Sequence, residues 1–227
     1  MKLLDDLHSH LQGMEGKWHL CGGFAIDVYL GRPTRKHKDI DITVSFEDLP
    51  GCIDYLKSKG WEIDAPVGGQ RLVPVETALK SRDLSFDNIW CCRKDAGLIR
   101  TVKQEGIYRY VEFPDREQTE LDYIEVLFNK VEKGIFYYGK NHEIKRDAGK
   151  AFIQKGKFSI LAPEIILLYK SRNHEKREYQ MDFDRAVHQL EKERYDWLLQ
   201  AMNVEYPEGH PWLDRIENES GKDDQDV

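Results

Sequence analysis

The sequence predicts an α+β fold: a mixed sheet with flanking helices, followed by a small C-terminal helical region. Two observations carry that expectation. Short β-branched and aromatic runs, punctuated by Gly, Pro and Asp, fill most of the chain as far as about residue 155. From about Ala162 onward only helical apolar spacings remain. The expected boundaries are 1–155 for the α/β part, 156–216 for the helical part, and 217–227 for an acidic tail without apolar anchors. With 227 residues the chain is long enough to bury a substantial core.

The elements follow in order. Leu3, Leu4, Leu7, Leu11 and Met14 recur at helical spacing, so the chain opens on an amphipathic helix. "KWHLC" reads as a strand, Gly22-Gly23 as a turn, and "FAIDVYL" as a helix ended by Gly31 and Pro33. "DIDITV", Asp39 to Val44, is a strand by β-branching and alternation. Pro50 opens a helix that Gly60 closes. "GWEI", "RLVPV", "NIWCC", "LIRTV" and "IYRYVEF" are further strands, and "PDREQT" is a polar loop. "ELDYIEVLFNKVEKGIFYYG" reads as a hairpin. Pro163 opens the first late helix. Phe183, Ala186, Val187 and Leu190 mark a second, and Trp197, Leu198 and Met202 a third.

Composition excludes some function classes. Lys and Arg number 34 against 41 Asp and Glu, a net charge of −7, which argues against general nucleic-acid binding. No apolar run approaches the roughly 20 residues needed to span a bilayer. Cys21, Cys52, Cys91 and Cys92 lack metal spacing and are expected as reduced, buried thiols of a cytoplasmic protein.

The stretch "CGGFAIDVYLGRPTRKHKDIDI" concentrates the chemistry. Residues two apart on a strand share a face, so Asp39 and Asp41 project together while Ile40 and Ile42 face the core. Two carboxylates this close repel unless a cation lies between them, and Mg2+ is the hard ion that suits them. Upstream, a strand, two glycines and a helix N-terminus expose backbone N–H groups that can cradle a phosphate. Between them lie Arg32, Arg35, Lys36, His37 and Lys38, a positive patch in an acidic chain. Together these features describe a site for a Mg2+-bound triphosphate.

These residues resemble the signature of the DNA polymerase β-type nucleotidyltransferase superfamily, with Gly-Gly on a short helix and Asp-x-Asp on the next strand. The finer pattern, including Asp27, Gly31, Arg32, Thr34, Arg35 and His37, is similar to the aminoglycoside and lincosamide nucleotidyltransferases, which adenylylate antibiotic hydroxyls. "NIWCCR", "LAPEIILLYKSR", "MDFDRAV" and "HPWL" resemble later segments of that family, whereas Arg93 to Thr119 departs from it.

The resemblance implies a nucleotidyltransferase fold and a third metal-binding acid on a later strand. Glu125 in "YIEVLFN" matches its position, with Asp122 as the alternative on the opposite face and Asp64 as a weaker one. Glu stands where the family more usually has Asp. The implied site has Asp39, Asp41 and Glu125 holding two Mg2+ ions, and Glu125 taking the proton of the acceptor hydroxyl. Gly22, Gly23, Arg35, His37 and Lys170 contact the phosphates of ATP or another nucleoside triphosphate. Asp27 buttresses the basic loop. The implied partners are that nucleotide and a small hydroxylated acceptor, and oligomeric state is not read from the sequence. Two rival readings remain: modification of a protein or RNA end, and nucleotide binding without turnover.

Overall fold

The computed structural model describes residues 2–96, 98–112 and 115–216. Phe113, expected in a strand, and the tail 217–227 lie outside the described residues.

Helix α1 (Lys2–Leu11) buries Leu4, Leu7 and Leu11, the apolar stripe read from the sequence. Strand β1 (Trp18–Cys21) passes directly into α2 (Gly22–Leu30), so the two glycines are the first helical residues rather than a separate turn. Gly31, at φ 70°, caps α2 in the left-handed conformation that a Cβ disfavours. Strand β2 (Asp41–Ser45) begins two residues later than alternation suggests, leaving Asp39 on the approach to it. Helix α3 (Leu49–Ser58), β3 (Trp61–Pro66) and β4 (Arg71–Pro74) follow. A short α4 (Val75–Lys80) takes the end of "RLVPV". Strands β5 (Asn88–Arg93), β6 (Arg100–Glu105) and β7 (Tyr108–Glu112) come next. The expected hairpin is β8 (Tyr123–Glu132) and β9 (Ile135–Tyr137).

Several small elements escaped the pattern reading: β10 (Lys145–Asp147), the single turn α5 (Ala148–Ala151), β11 (Phe152–Lys155) and β12 (Phe158–Leu161). The last two form a hairpin about Gly156, at φ 59°. The sheet therefore continues to Leu161. Helices α6 (Pro163–Ser171), α7 (Arg177–Ala186) and α8 (Lys192–Glu205) follow, and residues 211–216 are again helical; α7 stops at Ala186 and a 3-10 turn carries Val187–Gln189.

The strand order is β11-β12-β1-β2-β8-β5-β3-β4-β7-β6, with β9 and β10 extending from the far end of β8. The β1–β12 and β2–β8 pairs are parallel and the other pairs antiparallel, which makes the sheet mixed. One register matters most: Cys21 opposes Asp41, and Asp41 opposes Glu125. Ile40, Ile42 and Val126, each next to one of the acids along the chain, are fully buried.

Helix α6 is buried on eight of its nine residues, as expected of a helix apolar nearly all round. It packs on α8, α7 and α2. Its one buried acid, Glu164, accepts from Arg146 Nη2 on β10 at 2.7 Å and from Arg194 Nη1 on α8 at 2.7 Å. Arg146 also donates to both oxygens of Glu193 and lies 4.9 Å over the Trp197 ring. This cluster ties the helices to the β9–β10 hairpin. Removing its central acid leaves two arginines without their buried counter-charge. Glu164→Ala is expected to cost about 3–5 kcal/mol in urea unfolding, and Glu164→Gln less. A loss under about 1 kcal/mol for the alanine variant would show that the cluster is not a structural tie.

Candidate active site

The site is assembled by strand register. Residues opposite one another on neighbouring strands share a face, so the Asp41–Glu125 pairing on β2 and β8 sets those carboxylates side by side. Asp39 precedes β2, yet the Glu125 N–H donates to the Ile40 carbonyl at 2.8 Å. The extended conformation thus reaches back past Ile40, and Asp39 stays on the face of Asp41. One oxygen from each of Asp39, Asp41 and Glu125 lies within 4.8 Å of the others. Asp122 is elsewhere, held by Arg116 at 2.7 Å, and Asp64 is paired with Arg109.

Burial and mutual repulsion show in the proton affinities. Burial, then Asp39 and Glu125, hold the Asp41 carboxyl well above the usual range. Burial, then Asp39, push Glu125 up to about 7, against hydrogen bonds from the Asn88 amide and the Tyr123 hydroxyl. Three crowded carboxylate oxygens are the donor set of a hard divalent cation, and binding one would offset the repulsion.

The two glycines are needed for a reason that sequence did not disclose. A Cβ on Gly22, at φ 63°, would overlap the Asp41 carboxylate, and one on Gly23 would overlap Arg35 and the His37 ring. The site's own side chains fill the space that a bare backbone leaves.

The loop between α2 and β2 is held from below by Asp27. Its carboxylate accepts from the Thr34 N–H at 2.9 Å and the Thr34 hydroxyl at 2.5 Å, and pairs with His37 Nε2 at 2.7 Å. His37 is therefore turned to Asp27 rather than to Asp39, and it does not line the cleft. The positive patch is largely neutralised in place. Arg35 pairs with Asp182, Lys36 with Glu117 at 2.8 Å, and Lys38 with Asp115 at 2.5 Å. The acidic run after β7 thus serves the basic loop.

Above the carboxylates lies a cleft of about 440 Å³. Arg35, Lys170, Lys176 and Tyr179 line it on the α6–α7 side, and Asp87, Asn88, Asn129 and Lys140 on the other. Lys170, on α6, is buried and donates to Asp182 at 2.9 Å. Asn88, Asn129 and Asp182 escaped the sequence reading. Asn88 opens a recognised strand and Asp182 lies in a recognised segment, but only the packing of distant elements shows what they touch. Among the described residues no helix is long and apolar enough to cross a membrane.

Residues 3–110 match the family model of aminoglycoside-2''-adenylyltransferase. The fold is similar to the solution structure of the antibiotic-resistance factor ANT(2'')-Ia, with 14% identity, 91% of this chain and 92% of that one covered, and a TM-score of 0.50. It is also similar to the lincomycin-bound lincosamide adenylyltransferase LnuA, at 17% identity, 81% and 94% coverage and a TM-score of 0.49. A comparison with curated protein sequences gives no match.

The raised acids make a testable stability signature. In the fold Glu125 keeps its proton up to about 7, whereas the unfolded chain releases it near 4.5. The folded state then binds more protons across that window, so without metal its stability falls as pH rises, by about 3 kcal/mol from Glu125. Urea unfolding at pH 5 and pH 8 should show that fall, and millimolar MgCl2 should reduce or reverse it. A stability independent of both pH and magnesium would contradict the crowded-acid description.

Proposed function

We propose that the chain is a nucleotidyltransferase, a reading that the family match over residues 3–110 supports, and that it transfers the AMP portion of ATP to a hydroxyl of a small acceptor of the aminoglycoside or lincosamide kind, with Mg2+. The observation that carries this reading is the convergence of Asp39, Asp41 and Glu125 at the floor of one cleft, between a cationic side and an amide-bearing side. The acceptor class is supported by the family description matched by residues 3–110.

Asp39, Asp41 and Glu125 would hold the metal, expected as two ions. When bound, the metal supplies Lewis-acid stabilisation of the phosphate oxygens. The remaining roles belong to the chain. Arg35 and Lys170, which line the cleft on the α6–α7 side, would bind the pyrophosphate end of ATP. Gly22 and Gly23, the first residues of α2, line the same cleft, where the helix N-terminus would add a partial positive charge. Asn88 fixes one oxygen of Glu125, and Glu125 takes the proton of the acceptor hydroxyl, directly or through water. As the new bond forms from acceptor oxygen to the α-phosphorus, the bond from that phosphorus to the leaving pyrophosphate breaks. Asn88 and Asp87, which also line the cleft, would offer polar contacts to the acceptor.

Labelled ATP, MgCl2 and a panel of aminoglycosides and lincosamides test the reading. Pyrophosphate release dependent on one acceptor is expected. Asp41→Asn and Glu125→Gln should each lower kcat by about 10²–10⁴-fold with the fold intact. No release with any acceptor, and no ATP binding, would refute it.

A further inference from the structure

One face of α7 carries Glu178, Asp182 and Arg185, at the spacings of four and three that align side chains on a helix. They meet the loop before β2 in reverse order. Glu178 lies 4.0 Å from Lys38, Asp182 binds Arg35, and Arg185 donates to the Thr34 carbonyl. The middle contact is the most enclosed. Asp182 is fully buried: Oδ1 accepts from Arg35 Nε at 2.9 Å, and Oδ2 accepts from Arg35 Nη2 and Lys170 Nζ, each at 2.9 Å. Burial alone would raise this carboxyl; Arg35 and Lys170 hold it below the usual range.

The geometry separates Asp182 from its two partners. Arg35 and Lys170 line the cleft, whereas Asp182 does not. It therefore acts only through them. Arg35 spends Nε, one Nη2 hydrogen and one Nη1 hydrogen on Asp182 and the Lys36 carbonyl, which leaves two of its five donors. Lys170 spends one of three on Asp182. Without the acid these cations would repel each other and lose their orientation. Asp182 also lies outside the stretch matched by the family model.

We propose that Asp182 is a positioning residue for the phosphate chain of the nucleotide: it locks Arg35 and Lys170 as one two-cation clamp on the pyrophosphate end. This rests on the nucleotidyl-transfer reading above. The clamp acts on leaving-group binding, so its loss separates KM from kcat.

The test compares wild type with Asp182→Asn and Asp182→Glu, each checked for folding by circular dichroism and thermal melting. It measures the KM of ATP, kcat, and inhibition by inorganic pyrophosphate. Asp182→Asn is expected to raise the KM of ATP and weaken pyrophosphate inhibition by about tenfold or more, with a smaller change in kcat, and Asp182→Glu to recover part of the loss. In an Arg35→Gln/Lys170→Met background, which removes both cations, adding Asp182→Asn should change either quantity by less than about twofold. That comparison stands even where the single variant does not fold, and a larger effect in it overturns the proposal. So does a folded Asp182→Asn whose ATP and pyrophosphate affinities match or exceed those of wild type. A wild type that neither binds ATP nor releases pyrophosphate refutes the nucleotidyl-transfer reading itself, and this proposal with it.

Discussion

Bringing oxygens of the half-buried Asp39, Asp41 and Glu125 within 4.8 Å of one another is unfavourable unless a cation offsets the repulsion. Strand register enforces it all the same. With β2 parallel to β8 and Asp41 opposite Glu125, the fold cannot form without setting those acids side by side. The buried Ile40, Ile42 and Val126 hold that register, because a slip of one residue would send them into the cleft and the acids into the core. Hydrophobic burial thus maintains an electrostatic arrangement that would be unfavourable on its own.

The surroundings answer this concentration of negative charge with cations that are themselves anchored. Two acids outside the carboxylate cluster do the anchoring. Asp27, on α2, fixes the loop from its own N-terminal side through Thr34 and His37. Asp182, on α7, fixes it from the helical region through Arg35. The loop that carries Asp39 is therefore set by contacts from both the early and the late parts of the chain. This makes the helical region a structural component of the site.

Local features were legible in the sequence and non-local ones were not. The helix of Leu4, Leu7 and Leu11, the strand before the two glycines with the helix after them, and Asp39 beside Asp41 follow from spacing over a few neighbouring residues. Choosing Glu125 over Asp122 needed only strand alternation and the likeness to a known family, and the packing puts Glu125 with the aspartates. The reason for the glycines was not legible, because the side chains that crowd them belong to β2 and the loop before it. Nor was the neutralisation of Lys36 and Lys38, since Glu117 and Asp115 arrive from a loop far along the chain. The β11–β12 hairpin was passed over because its runs are four residues each and the first follows a single-turn helix.

The sheet order has a consequence for how such a chain is made. Strand β8 lies between β2 and β5, and β12 lies on the other side of β1. A ribosome delivers β1 to β7 first, so the growing chain holds two partial sheets, β1–β2 and β5-β3-β4-β7-β6, that share no strand pair. Each exposes an open edge until β8 arrives and joins them. The aspartates of the signature emerge early and remain in water, while the strand bearing their third partner closes the seam late. Nascent chains stalled before β8 would be the species most exposed to aggregation and most in need of a chaperone.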